Sequence, residues 1–226
     1  MYGQYCTAAD GWVPGRGRSP MMRALWRRLR YGRPIVVVSG LPRSGTSMMM
    51  RMLEAGGVAA VTDGLRVADD SNPKGYFEFE PVKGLADDSD RSWLPAARGQ
   101  AVKIISFLLT WLPEDYNYLV IFMHRHLDEI IASQQAMLLA RGEPVAHDDA
   151  ERSRLVLAGH LAQVERFMAG RACFRVLPLH YHEVIAAPEA AAAQVARFLG
   201  RALDTAAMAR SVEQQLYRNR VTARSP

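Results

Sequence analysis

Residues 34–55 constrain this chain more than any other stretch. Pro34-Ile-Val-Val-Val-Ser39 is a continuous β-branched run, the pattern of a strand buried on both faces. Gly40-Leu-Pro-Arg-Ser-Gly45 follows as a turn. Thr46–Ala55 then reads as a helix with Met48, Met49, Met52 and Leu53 on its apolar face, ended by Gly56-Gly57. A buried strand that enters a helix through a glycine loop opens a parallel α/β sheet. The same alternation continues. Ala101–Ile105, Tyr118–Met123 and Cys173–Leu177 read as strands; Leu127–Ala140, Asp148–Met168 and Pro188–Leu199 read as helices, the last with proline in its first turn. Residues 62–100 are polar and irregular. The expected fold is α/β, a three-layer sandwich with a central, mostly parallel sheet.

The charge is unevenly placed. The chain has 226 residues and a net charge of +5. Residues 1–34 hold seven arginines (16, 18, 23, 27, 28, 30 and 33) against Asp10, so this stretch carries +6 and residues 35–226 carry −1. The basic character belongs to a leader, and a nucleic-acid partner is not expected of the rest. The division is a basic, partly disordered leader over 1–33 and a single domain over 34–226. Within the leader, Met21–Arg30 reads as a short helix with Met22, Leu25, Trp26 and Leu29 on one face and arginines beside them. Such a helix suits weak contact with a membrane surface or docking to a partner. The bland alternative is a stripe packed on the domain, and that is the expectation here. No apolar segment follows the charges as in a cleaved secretory signal. The longest apolar runs fall short of the roughly 18 residues a spanning helix needs. Cys6 and Cys173 are too few for a disulfide scaffold. A cytoplasmic location is therefore expected.

Gly40-Leu-Pro-Arg-Ser-Gly-Thr-Ser47 nearly fits the phosphate-loop pattern G-x-x-x-x-G-K-[ST]. Such a loop turns backbone N–H groups toward phosphate oxygens, and the helix behind it adds partial positive charge. Thr46 stands where nucleotide triphosphatases place the lysine that neutralises the β- and γ-phosphates. That departure argues against ATP or GTP hydrolysis. The loop's own cation is Arg43.

Pro42-Arg-Ser-Gly-Thr-Ser47 after a β-branched strand resembles the phosphosulfate-binding loop of sulfotransferases that use 3′-phosphoadenosine 5′-phosphosulfate. Met123-His-Arg125 at a strand end, with Ser133 eight residues later, is similar to the pair with which this family binds the donor's 3′-phosphate. His126-Leu127 departs from the usual Asp-Pro after that arginine. Leu179-His-Tyr-His-Glu-Val-Ile185, then Pro188 and Phe198-Leu-Gly200, looks like the family's late tyrosine segment and helix end. The resemblance spans about residues 34–221. It implies transfer of a sulfuryl group from that co-substrate to a hydroxyl or amine of a small-molecule or lipid-like acceptor, with no metal expected. It also implies contacts from Tyr181 and from the late arginines Arg218 and Arg220, although Tyr181 can equally fill the core and the arginines can belong to a solvated tail. A small-molecule kinase with a degenerate loop and a non-catalytic nucleotide-binding scaffold remain as alternatives.

The chemistry narrows the roles. The oxygen that bridges sulfur and phosphorus gains charge as the S–O bond breaks, so donors must aim at it. Arg43, the Thr46 and Ser47 hydroxyls, and backbone N–H groups of Ser44, Gly45 and Thr46 are suited to that task. Arg43 stays charged throughout and acts as a clamp. The acceptor must lose a proton, and Glu78 is the first candidate base, with Glu80 its rival. Asp69 and Asp70, in a turn sequence, are weaker candidates. Strand alternation turns His124 away from Arg125, and His126 is a base on geometry alone. Lys103 is either an edge lysine or, as the family resemblance implies, an aid to the leaving oxygen. Trp93, Phe107, Trp111 and Met137 suggest an apolar acceptor lining or plain core.

Overall fold

In the computed structural model, which describes residues 20–64, 77–87, 91–143 and 150–212, four strands form one sheet. They are β1 (Ile35–Gly40), β2 (Ala101–Lys103), β3 (Tyr118–His124) and β4 (Phe174–His180). Their order is β2-β1-β3-β4 and every pairing is parallel. β1 is buried along its whole length, as its unbroken β-branched run requires. Its side chains divide between two cores. Val36 and Val38 face one layer with Ile121 and Met123, while Ile35 and Val37 face the other with Val120 and Phe122.

The first layer is built by α2 (Thr46–Ala55), α5 (Tyr181–Ala186), α6 (Pro188–Leu199) and α7 (Thr205–Arg210). Met49, Met52 and Leu53 of α2 and Val195 and Met208 of α6 and α7 are fully buried there. The second layer is made by α4 (Ala150–Ala169), through Val164 and Met168, and by two 3-10 helices, Glu80–Asp87 and Ser106–Trp111. α3 (Leu127–Ala140) leads from β3 toward α4 and buries Ile130. This is the expected three-layer arrangement, and its four strands are all parallel. No helix among the described residues is long and apolar enough to cross a membrane.

Several elements differ from expectation: β2 ends at Lys103 rather than Ile105, and the two 3-10 helices and α7 were not anticipated. β4 runs to His180, through Pro178, where the sequence suggests an end near Leu177. β4 pairs with β3 alone among the described strands, and an edge strand tolerates a proline that has no N–H to donate. α5 was not expected; at six residues it is too short to show a helical period.

The larger correction concerns α1 (Pro20–Tyr31). Its apolar stripe does not pack on the domain. Met22, Leu25 and Leu29 are 57%, 60% and 80% exposed, and Trp26 is 36% exposed. The opposite side of the helix makes the attachment. Arg27 Nε donates to Asn117 Oδ1 at 2.9 Å, and its Nη2 donates to the carbonyls of Glu114 and Tyr116 at 2.6 and 2.9 Å. Asn117 Nδ2 donates back to the carbonyls of Arg27 and Gly32 at 3.0 and 3.1 Å. Asn117 lies just before β3, and its own carbonyl accepts from Ile35 N at 2.8 Å, so one residue ties α1 to the start of the sheet. Asn117→Ala removes the three side-chain bonds and should weaken α1 docking by about 1–3 kcal/mol. Hydrogen exchange is expected to quicken across α1 while β1 and β3 keep their protection; unchanged α1 protection would refute the clamp.

Candidate functional site

The loop between β1 and α2 lies beside the carboxyl end of β3, because the parallel register pairs Gly40 with Met123. That closeness explains Gly40. At its φ of 145° a side chain is unfavourable, and a Cβ would collide with the Met123 carbonyl and the Ser44 hydroxyl. Gly45 has φ 98°, and a Cβ there would run into the Tyr181 ring. Gly45 also precedes α2 as its N-cap without a side-chain cap bond. The first-turn N–H groups of α2, which no intrahelical carbonyl can serve, are therefore not met by a capping side chain, and the positive end of the helix dipole opens on the loop. Ser44 N closes the turn on the Leu41 carbonyl at 3.1 Å. The hydroxyls of Ser39 and Ser44 are buried and have no hydrogen-bond partner among the described residues. Thr46 is buried and Ser47 half-buried at the head of α2. Arg43 adopts φ 70°, a left-handed conformation uncommon for a residue with a side chain.

Three of the residues singled out by sequence meet on this loop. Arg43 Nε donates to Ser133 Oγ of α3 at 3.0 Å. Arg125 Nη1 donates to the Arg43 carbonyl at 3.1 Å. Ser133 is buried within α3, one face of which it shares with Glu129 and Ile130. Arg125 is oriented from two sides. Its Nε donates to Glu129 Oε2 at 2.8 Å, and its guanidinium stands 4.6 Å from the centre of the Tyr181 ring. Tyr181 thus forms a wall between Gly45 and Arg125 and belongs to the first-layer core. Burial pushes its phenol pKa up; the charge of Arg125, and more weakly those of Arg51 and Arg43, acts the other way. The charges of three guanidiniums thus reach the Tyr181 hydroxyl, with that of Arg125 standing against its ring.

A second pair stands at the β2 side. Lys103, whose register partner is Val38, lies 3.9 Å from Glu78 Oε1. The lysine side chain is 9% exposed and the glutamate 25% exposed. Glu78 is held by its backbone: its carbonyl accepts from Thr62 Oγ1 at 3.0 Å and from Asp63 N at 3.3 Å. Phe77 before it is left-handed at φ 51° and packs on the first-layer core. Glu80 is turned elsewhere, bonded to Lys83 at 2.7 Å on the surface. His126 is exposed beside Asp128. His124 lies on the other face of the sheet, near Glu165 of α4 and His180, and burial lowers its pKa. Arg218, Arg220, Asp69 and Asp70 lie outside the described residues.

Sequence reasoning missed Glu129, Arg51 and His160. Glu129 is four residues after Arg125, a spacing that signals an ion pair on a helix. Arg51 is four residues after Ser47, which puts it one turn above the loop, but nothing in a run of methionines marks it as more than surface. His160 of α4 meets Ser106 Oγ through Nε2 at 2.9 Å and stacks on the Phe107 ring at 3.9 Å; only the packing of α4 on the 3-10 helix joins them. Phe107 and Trp111 are exposed beside that contact, whereas Trp93 packs edge-on against Phe79 in the second-layer core. The donor set around the loop consists of N–H groups, hydroxyls and guanidiniums. It fits the oxygens of a phosphate-bearing anion.

Comparison with known proteins finds sulfotransferases. Residues 100–205 match a family model described as "Sulfotransferase family". The match contains Lys103, Arg125, Ser133 and Tyr181, and the Gly40–Ser47 loop precedes it. Among solved structures, the chain is similar to a sulfotransferase from Mycobacterium tuberculosis H37Rv, with 18% identity, a TM-score of 0.54, and coverage of 88% of this chain and 77% of that one. It also resembles the sulfotransferase domain from the curacin biosynthetic pathway, at 15% identity and TM-score 0.46 over 81% and 76% of the two chains. A third is the sulfotransferase domain from the Synechococcus PCC 7002 olefin synthase, at 13% identity and TM-score 0.46 over 92% and 83%. No curated protein matches the chain by sequence. The M. tuberculosis likeness establishes a shared fold. The contact between Gly45 and Tyr181 makes a direct test of the loop. Gly45→Ala is expected to lose about 1–3 kcal/mol in a urea titration, and an unchanged midpoint would mean that ring and loop are not in contact.

Proposed function

We propose, starting from the match of residues 100–205 to a sulfotransferase family model, that this chain transfers a sulfuryl group from 3′-phosphoadenosine 5′-phosphosulfate to a hydroxyl or amine of a small-molecule or lipid-like acceptor. One observation carries the reading: Arg125 of the β3 end and Ser133 of α3 converge on Arg43 of the glycine loop. A donor with phosphates at both ends of one ribose needs two anion sites side by side. The uncapped start of α2 supports the first, with Thr46 and Ser47 hydroxyls beside the N–H groups of Ser44, Gly45 and Thr46. Arg125 and Ser133 support the second, and Arg43 stands between them. Tyr181 keeps Arg125 in place by its ring.

When bound, the donor supplies an electrophilic sulfur whose bridging oxygen leaves as part of the phosphate. The chain's residues manage the charge and the proton. Glu78 takes the proton from the acceptor hydroxyl or amine as the new S–O or S–N bond forms. Lys103 faces the bridging oxygen as its bond to sulfur breaks, and Arg43 and the α2 N-terminus meet the charge that moves onto the phosphate. Lys103 and Glu78 stand 3.9 Å apart, which supports their acting on one transferring group. Phe107 and Trp111, exposed after β2, support an apolar acceptor body.

Calorimetry with 3′-phosphoadenosine 5′-phosphate tests the donor. Binding is expected, and Arg125→Ala should weaken it by about 1.5–3 kcal/mol, roughly ten- to a hundredfold. The same variant should leave adenosine 5′-phosphosulfate, which lacks the 3′-phosphate, much less affected. No binding, or equal losses for both ligands, would overturn the assignment. For the base, Glu78→Gln should lower turnover by about 10²–10⁴-fold while calorimetric binding of 3′-phosphoadenosine 5′-phosphate stays as it was. Turnover equal to that of the unaltered protein would remove Glu78 from the proton transfer.

A further inference from the structure

α1 presents a face that neither the sheet nor the proposed chemistry uses. At about 100° per residue, Met22, Leu25, Trp26 and Leu29 form one stripe. Arg28 and Arg30 flank it on either side, and Arg27 lies opposite. The structure uses that opposite side for attachment, through the Arg27–Asn117 bonds. The stripe therefore faces outward and stays exposed, up to 80% at Leu29. Arg28 and Arg30 are exposed beside it. Arg30 also stands 5.7 Å over the Trp26 ring, at the border between the apolar stripe and the charge.

We infer that α1 docks this protein onto an anionic lipid bilayer. In this arrangement Met22, Leu25, Trp26 and Leu29 enter the boundary between headgroups and acyl chains, and Arg28 and Arg30 lie against lipid phosphates. A helix in the bilayer plane needs this combination: a narrow apolar face, cationic flanks whose stems extend up to the headgroups, and a ring at the border. The charge distribution selects the partner. Residues 1–34 carry +6 and the remaining chain −1, and α1 itself holds Arg23, Arg27, Arg28 and Arg30 with no acid, so attraction to an anionic surface favours this helix. A second copy fits less well, because pairing the stripes of two such helices would bring the Arg28 and Arg30 flanks of both together. Nucleic acid has no use for an exposed leucine stripe. The clamp at Asn117 means that the helix is already formed and oriented before contact, so little ordering is left to oppose binding. Its position also matters. α1 joins the amino ends of β1 and β3, whereas the Gly40–Ser47 loop lies at their carboxyl ends. Docking through α1 therefore leaves the loop uncovered. The inference stands apart from the sulfuryl-transfer reading, and either can fail without the other.

Co-sedimentation of the full chain with vesicles provides the test. The protein should sediment with mixed phosphatidylglycerol–phosphatidylcholine vesicles, less so as salt is raised, and not with phosphatidylcholine alone. Leu25→Asp with Leu29→Asp should reduce binding by at least about tenfold while thermal unfolding is unchanged, since both side chains are exposed. Arg28→Glu and Arg30→Glu should each reduce it by about fivefold, a measure that holds even if the first variant folds poorly. No sedimentation with the anionic vesicles, or undiminished binding by these variants, would overturn the proposal. So would self-association that Leu25→Asp with Leu29→Asp abolishes in a protein that ignores vesicles; the stripe would then be a contact between copies.

Discussion

A guanidinium held against one buried phenol sets the character of this molecule. Arg43, Arg51 and Arg125 all stand close enough to Tyr181 for their charges to act on its hydroxyl. Like charges do not gather by themselves, so the scaffold must hold them. The parallel pairing of β1 with β3 puts Arg125 beside the loop, and Glu129 fixes its Nε from the next helical turn. Gly45 lets the Tyr181 ring approach, and the ring in turn supports Arg125. Folding energy spread over two cores thus holds an electropositive corner ready before any anion arrives. Such preorganisation is what makes electrostatic catalysis effective, because nothing needs to reorient when charge develops.

The sheet order explains why that corner lies where it does. With the order β2-β1-β3-β4, the chain leaves β1 for one neighbour and later crosses to place β3 on the other side. Loops after β1 and β3 then diverge to opposite layers, α2 to one and α3 toward the other, and a crevice opens between them at the carboxyl ends. Arg43, Arg125 and Ser133 come from the two sides of that crevice. Lys103 and Glu78 border the same edge from the β2 side. The sites proposed for the donor and for proton transfer therefore arise from three strand ends, and the proposed bilayer contact from the opposite edge of the same sheet.

Much of this was legible in the residues. α2, α3 and α6 have the bounds the sequence indicates: α2 and α6 each carry a one-sided apolar stripe ended by glycine after Ala55 and Leu199, and α3 ends at a turn after Ala140. β1 and β3 were legible as β-branched or aromatic runs. That Arg125 and Ser133 would lie near one another was implied by the family resemblance, although the bonds that link each of them to Arg43 could not be anticipated. Glu129 carried a readable signal in its four-residue offset from Arg125. α5 carried none, since one and a half turns of helix have no measurable period. The strand was expected to end at Leu177, and the edge position of β4 is what makes Pro178 compatible with its continued pairing. Arg51 was not singled out, because its effect on Tyr181 arises only when α2 is set against that ring.

The outward face of α1 shows where the boundary lies. The sequence by itself determined that residues 22–29 would make an amphipathic helix, because side-chain periodicity is a local property. It likewise determined a buried β1, a glycine loop and a cationic, hydroxyl-bearing start to α2, all of which follow from neighbours along the chain. Which side of α1 faces the protein was settled only by tertiary structure, through Asn117, ninety residues away, which bonds Arg27 and leaves the apolar stripe outside. The meeting of Arg43 with Arg125 and Ser133, and of Lys103 with Glu78, was settled in the same way. These contacts join residues from different strands and helices, and their distances are fixed by sheet register and layer packing, which no local pattern encodes.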